Sequence, residues 1–211
     1  MDEPAPLKGL VLAGGSSRRM GSDKALLELE GVPLLARAVA LLRSLLDDVR
    51  VAVRPDQVNS PARSSYPVIE DYPGLQGPAA GILGAHAAEP QYAWLVIACD
   101  MPLLDSNALR CLIEGRDGSM DATALAVAPG ADPEPLCAIY EPVTLAAFLA
   151  RAGAGNLSPR HWLKTVKVRL LLPPDTSVLL SANTGEDFQR ISERLRERAI
   201  LPSGAAGGDK R

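Results

Sequence analysis

Three polar breaks in this chain carry residue types that handle phosphorylated ligands. The first is Gly14-Gly15-Ser16-Ser17-Arg18-Arg19-Met20-Gly21-Ser22-Asp23-Lys24, directly after the apolar run Leu10-Val11-Leu12-Ala13. Gly14 and Gly15 let the backbone approach a ligand closely and leave N–H donors that suit phosphate oxygens. Arg18, Arg19 and Lys24 add positive charge to the same segment. Lys24 is placed to touch a phosphate, whereas Arg19 either touches one or fixes the loop by pairing with a carboxylate. The glycine spacing is not G-x-G-x-x-G, and Ala25 follows Lys24 where a Walker loop needs Ser or Thr. A bland alternative is a flexible loop with solvated cations. The second break, residues 71–78, opens on Asp71 and is rich in Gly and Pro. The third begins at Asp100, directly after the apolar run of residues 93–99. A carboxylate there can share a magnesium ion with substrate phosphates. For both aspartates the alternative is turn or cap chemistry. No Ser–His–Asp set is apparent. His86 and His161 read as structural, and Cys99 reads as packing. That inventory suits phosphoryl transfer, which relies on positioning and charge neutralisation.

These breaks need strands that end together. Residues 8–13 read as a first strand. Glu30-Gly31 is a turn, and Pro33 suits the first turn of a helix running to residue 46. Residues 49–53 form a second strand, 55–66 a Pro/Ser/Asn-rich loop, and 67–70 a third strand. Residues 79–88 predict a small-residue helix whose glycines allow close packing. The unbroken apolar run 93–99 predicts a central parallel strand covered on both faces. Further helices are expected over 105–114, 144–151 and 156–164, and strands over 121–128, 136–140, 166–172 and 178–180. Thr184 and Asp187 form a capping box before a charged final helix with one apolar stripe of Phe188, Ile191 and Leu195. Alternating strands and helices predict a three-layer α/β/α, Rossmann-like domain with a mostly parallel central sheet. Its ligand would sit at the carboxyl ends of the strands. One domain is expected over residues 1–201, with residues 202–211 a disordered tail.

Composition narrows the partners. The 211 residues carry a net charge of −3, from 22 basic and 25 acidic side chains, which argues against bulk-charge binding of nucleic acid. Cys99, Cys111 and Cys137 form no C-x-x-C pair and suggest reduced thiols. No secretory leader and no apolar run of roughly 20 residues is visible, so a cytoplasmic protein with no membrane partner is expected.

Leu12-Ala13-Gly14-Gly15, Ser17, Arg19-Met20-Gly21 and Asp23-Lys24 closely resemble the motif of nucleotidyltransferases with the nucleotide-diphospho-sugar transferase fold. The nearest resemblance is to the molybdenum cofactor guanylyltransferase (MobA-type) family. Cys99-Asp100-Met101-Pro102 resembles that family's metal-binding motif, and Ile69-Glu70-Asp71 with Gly77-Pro78 its nucleotide contact. Residues 183–187 resemble its closing stretch, with Gly185 in place of proline. The resemblance implies magnesium-dependent transfer of GMP from GTP to molybdopterin bearing molybdenum, with release of pyrophosphate. It implies a nucleotide site of Leu12, Ala13, Gly14, Gly15, Lys24, Asp71 and Asp100, with Mg2+ on Asp100. Lys24, Asp100 and Arg19 would be catalytic, and Asn183 would seat the acceptor. Molybdoenzymes or their chaperones are candidate recipients of the product. Alternatives are a sibling enzyme using CTP or another phosphorylated acceptor, and a nucleotide-binding regulatory module without turnover.

Overall fold

The computed structural model describes residues 4–13, 23–152 and 157–200. Gly14, Gly15, Arg18, Arg19 and the tail of residues 202–211 lie outside the described residues.

The sheet has seven strands: β1 Leu7–Leu12, β4 Val49–Val53, β5 Val68–Glu70, β6 Ala93–Ala98, β7 Ala122–Leu125, β8 Cys137–Tyr140 and β9 Val168–Leu171. A separate hairpin pairs β2 Glu28–Leu29 with β3 Val32–Pro33. The order across the sheet is β5-β4-β1-β6-β8-β7-β9, and β8 alone of the seven runs antiparallel to its neighbours. After β1 the chain moves outward to β4 and β5, then returns to β6 on the other side of β1. That reversal opens a crevice beyond the carboxyl ends, where open α/β sheets take ligands. The register sharpens this: Leu12 lies opposite both Ala52 and Ala98, so three strands end within one residue of one level.

Both faces of the sheet are covered. Val11, Val51, Val53, Leu95 and Ile97 pack against helices α1 (Leu34–Arg43) and α3 (Ser106–Glu114). Leu10, Ala52, Trp94 and Val96 face α2 (Pro78–Ala88), α4 (Pro142–Ala150) and α5 (Pro159–Leu163). Alternate residues of β6 serve opposite cores, which explains its unbroken apolar run. A smaller cluster joins Leu29 and Leu34 near the hairpin to Leu103, Ala182 and Ile191, the last on helix α6 (Gly185–Ile200). The architecture is α/β/α with a mostly parallel sheet, as the alternation of elements predicts. No helix among the described residues is long and apolar enough to cross a membrane.

Several local expectations change. Residues 178–180 are not a strand; Thr176–Leu179 is a 3-10 turn in which Val178 and Leu179 are buried. The Asp175 side chain accepts from the Ser177 N–H and starts the turn, a local bond that competes with strand formation. Pro33 caps α1 from β3 instead of occupying its first turn, and the helix begins at Leu34. The loop of residues 55–66 contains two 3-10 turns, Pro55–Gln57 and Pro61–Arg63, each opening on proline. Glu30 and Gly31 both have positive φ (55° and 76°), as a two-residue hairpin turn requires.

Helix α2 lies unusually close to the end of β5. A Cβ on Gly84 would fall 2.3 Å from the Glu70 carbonyl oxygen and 3.0 Å from the Tyr72 nitrogen, both backbone atoms that cannot swing aside. We expect Gly84→Ala to lower stability by about 1–3 kcal/mol through overpacking. Gly185, with no atom within 4 Å of its added Cβ, is the control, and Gly185→Ala should be neutral or slightly stabilising. Denaturant midpoints of the two variants check this; equal midpoints would contradict the close approach.

Candidate active site

At the crevice the chain encloses a cavity of about 540 Å³. Its lining draws on the ends of β1, β4 and β6 through Leu12, Ala13, Ala52, Ala98 and Cys99. The turn after β1 adds Lys24, the loop of residues 71–78 adds Asp71, and Asp100 follows β6. Of the residues expected at the site, Leu12, Ala13, Lys24, Asp71 and Asp100 therefore surround one space.

Lys24 and Asp100 are 76 positions apart, yet Lys24 Nζ donates to Asp100 Oδ2 at 3.2 Å. The same ammonium donates to Asn183 Oδ1 at 2.7 Å. Asn183 is delivered by a backbone bond: the Ala182 N–H donates to the Asp100 carbonyl at 2.8 Å. The next residues form the expected capping box, with Asp187 N donating to Thr184 Oγ1 and Thr184 N donating to Asp187 Oδ2. The start of α6 is thus anchored to Asp100, two residues beyond the end of β6. The side chains of Lys24 and Asp100 are only 17% and 19% exposed, so their attraction is less screened than that of a surface pair.

Asp71 lines the same cavity beside the first turn of α2. Gly81 permits this: a Cβ there would lie 2.8 Å from Leu12 Cδ2, 2.9 Å from Ala52 Cβ and 3.3 Å from Asp71 Oδ1. Burial pushes the Asp71 carboxyl up to about 6, against the opposing pull of Arg54. A carboxylate over an apolar floor of Leu12 and Ala52 suits the edge of a nucleobase, whose N–H groups are donors.

The turn that carries Lys24 is itself held from outside. Asp23 Oδ1 accepts from the Ala25 N–H and caps the 3-10 turn Lys24–Leu26. Asp23 Oδ2 accepts from Arg63 Nη2 at 2.6 Å and from Gln57 Nε2 at 3.2 Å. Arg63 Nη2 also donates to the Ala13 carbonyl at 3.1 Å. Arg63 is 1% exposed and Gln57 is 7% exposed, both in the stretch that reads from sequence as plain loop. A proline opening each 3-10 turn is the one local hint that this stretch is ordered.

No three His, Cys, Asp or Glu side chains among the described residues gather to hold a metal. The oxygen donors here are the Asp100 carboxylate and the Asn183 amide, which both engage the Lys24 ammonium. Such a sparse set fits a divalent ion held mainly by substrate phosphates and water. The Cys99 thiol, pushed up to about 12 by burial, stays protonated and packs in the core.

Residues 9–170 match the MobA-like NTP transferase domain. The chain belongs to this family. It is a nucleotidyltransferase, in keeping with a cavity at the switch point of a parallel sheet. A probable molybdenum cofactor guanylyltransferase from Nostoc sp. is 32% identical over 204 residues, covering 93% of this chain and 96% of that protein. A molybdenum cofactor guanylyltransferase from Pseudomonas paraeruginosa is 37% identical over 161 residues, covering 75% and 80%. A molybdenum cofactor biosynthesis bifunctional protein from Synechocystis sp. is 34% identical over 187 residues; 89% of this chain matches 54% of that one. Among solved structures, molybdopterin-guanine dinucleotide biosynthesis protein A from Archaeoglobus fulgidus superposes with a TM-score of 0.77. It covers 90% of this chain and 99% of its own at 23% identity, a likeness of fold.

The Asp71 carboxyl gives this MobA-like domain a pH signature. Its raised value means the folded state holds the proton more tightly than the unfolded chain does. Its contribution is therefore most favourable at low pH and is lost as pH rises from about 4 through about 6. Asp71→Asn should remove that loss. Relative to the parent, the variant should gain about 1–2 kcal/mol between pH 4 and 7, after allowance for partial exposure. Urea midpoints of both proteins across that range measure it; parallel pH curves would show that burial does not perturb Asp71.

Proposed function

We propose that this chain transfers GMP from GTP to the terminal phosphate of molybdopterin bearing molybdenum, releasing pyrophosphate, with Mg2+ as the metal. The observation that carries the proposal is the placement of Lys24 between Asp100 and Asn183, at a cavity that Asp71 also lines. The named activity of the Nostoc and Pseudomonas relatives supports the choice of guanylyl group and of cofactor biosynthesis. In this reading residues 1–201 act as one catalytic domain in the cytoplasm.

The described residues have tasks that follow from their places. Asp71 accepts hydrogen bonds from the guanine edge, while Leu12, Ala13 and Ala52 shape the floor beneath the nucleoside. Gly14, Gly15 and Arg19 lie outside the described residues, and their assignment to the triphosphate rests on the sequence alone. Lys24 releases Asp100 and Asn183 to donate to phosphate oxygens. It steadies the negative charge that moves onto the pyrophosphate as the bond to the α-phosphorus breaks. Asp100 holds the magnesium ion, which when bound neutralises charge on the phosphate oxygens. Asn183, freed from Lys24, donates its amide to the acceptor phosphate and aims it at the α-phosphorus. In this reading the chain orients two phosphates and balances their charge.

The direct test supplies purified protein with each NTP and molybdenum-loaded molybdopterin, and identifies the dinucleotide formed. Guanine dinucleotide is expected, and a cytosine product would overturn the assignment of the base. The same preference should appear in stability: GTP–Mg should raise the melting temperature more than CTP–Mg or ATP–Mg at equal concentration. Ligand at 100 times its Kd adds about 2.7 kcal/mol. Equal shifts for all nucleotides would rule out guanine selectivity.

Asp100→Asn separates chemistry from architecture. The Ala182 bond uses the Asp100 backbone carbonyl, which the substitution keeps, so melting without ligand should hardly change. Turnover should fall by about 10²–10³ or more, with a higher magnesium requirement. Transfer rate against magnesium concentration for both proteins is the measurement, and a native profile would remove Asp100 from the reaction.

A further inference from the structure

We infer that Arg63 is a positioning residue for Lys24, an inference that rests on the transfer reaction proposed above. One nitrogen carries the argument. Arg63 Nη2 has two hydrogens, and the structure gives each an acceptor: the Ala13 carbonyl at 3.1 Å and Asp23 Oδ2 at 2.6 Å. Ala13 directly follows β1, before the glycine-rich segment, and Asp23 is the residue before Lys24. A single buried group therefore fixes the separation of these two points in space. Gln57 Nε2 adds a second donor to Asp23 Oδ2, and its Oε1 accepts from the Arg54 N–H, so Gln57 is itself held. With Oδ1 taken by Ala25, the Asp23 carboxylate has three donors and a set orientation. That orientation starts the 3-10 turn and thereby aims the Lys24 side chain at Asp100 and Asn183.

Charge gives a second reason. Asp23 directly precedes Lys24, the proposed phosphate contact, and an uncompensated carboxylate there would repel the ligand and compete with Asp100 for Lys24. Arg63 cancels that charge from inside the protein, at 1% exposure, leaving Lys24 for the cavity. Burying a guanidinium is costly unless it is paired and hydrogen-bonded, and removing one partner leaves an isolated charge. Arginine suits the task because the two N–H bonds of Nη2 lie fixed in the guanidinium plane, so the directions to Ala13 and Asp23 are set together, which a freely rotating ammonium does not do.

The test is a double-mutant cycle on the full chain between Arg63→Met and Lys24→Ala. It is read on kcat/KM for GTP and independently on the Kd for GTP–Mg, which needs no acceptor. Met keeps an apolar stem in the buried channel. If Arg63 acts through Lys24, Arg63→Met alone lowers kcat/KM and weakens GTP–Mg binding at least ten-fold. The double variant is then no worse than Lys24→Ala alone. Independent, multiplying effects, or native kinetics in a folded Arg63→Met protein, overturn the inference. Should Arg63→Met fail to melt cooperatively, Arg63→Lys takes its place in the cycle. It keeps the buried charge but not the planar group, and the same non-additivity is required. A parent protein that binds GTP–Mg without transferring GMP would overturn the reaction while the Kd cycle still decides on Arg63. A parent that binds no nucleotide overturns both.

Discussion

The arrangement depends on three strands stopping within one residue of the same height. Leu12, Ala52 and Ala98 sit opposite one another in β4-β1-β6, so the segments that follow leave the sheet side by side. Parallel pairing makes this possible, because every parallel strand presents its carboxyl end on the same side. The register then decides the distances. A slip by one residue would turn the alternate residues of β1 and β6 to the wrong core and displace Asp100 from Lys24. The two-sided core is what forbids that slip. Val11 and Ile97 are committed to one layer of helices and Leu10 and Val96 to the other. Packing chemistry far below the cavity thus fixes the charges above it.

Small residues do comparable work on the other flank. Gly81 and Gly84 lie three positions apart on α2 and remove side chains that would hold the helix away from the sheet, Gly81 from Leu12 and Ala52 and Gly84 from the end of β5. The helix then closes over Asp71, and the loss of water there raises that carboxyl's proton affinity. The perturbed acid and the glycine face are one feature described in two ways.

The sequence makes those parts legible that leave a local trace. β1 and β6 announce themselves as apolar runs, Asp100 as the first charge after one of them, and Thr184 with Asp187 as a cap. Glu30-Gly31 reads as a turn through its glycine, while the positive φ of Glu30 has no local trace. Asp71 stands at a strand end and could be nominated, although its perturbation depends on α2 and cannot be read from its neighbours. The meeting of Lys24 with Asn183, 159 positions away, has no periodic signature. Arg63 is harder still. A lone arginine among Pro, Ser and Asn looks solvated, and only the folded chain shows that it is buried against Asp23 and Ala13. Residues 178–180 mislead for the opposite reason. Three apolar side chains resemble a strand, but the preceding Asp175 and Ser177 supply a local bond that curls the backbone first.

The reversed strand β8 has its own consequence. Because it runs against β6, its beginning lies beside the carboxyl end of β6: Cys137 faces Ile97, and the Ala98 N–H donates to the Leu136 carbonyl. Leu136 reaches the cavity wall as the chain enters a strand, while Leu12, Ala52 and Asp100 reach it where a strand is left. The first half of the molecule and the second therefore address the cavity by different routes. The segment entering β8 can vary in length and composition without shifting the register of β1, β4 and β6. The fold is in this sense divisible into a fixed jaw and an exchangeable one. A lineage could retain one nucleotide grip and redesign the opposing wall for a new acceptor, rewriting little more than the residues between β7 and β8.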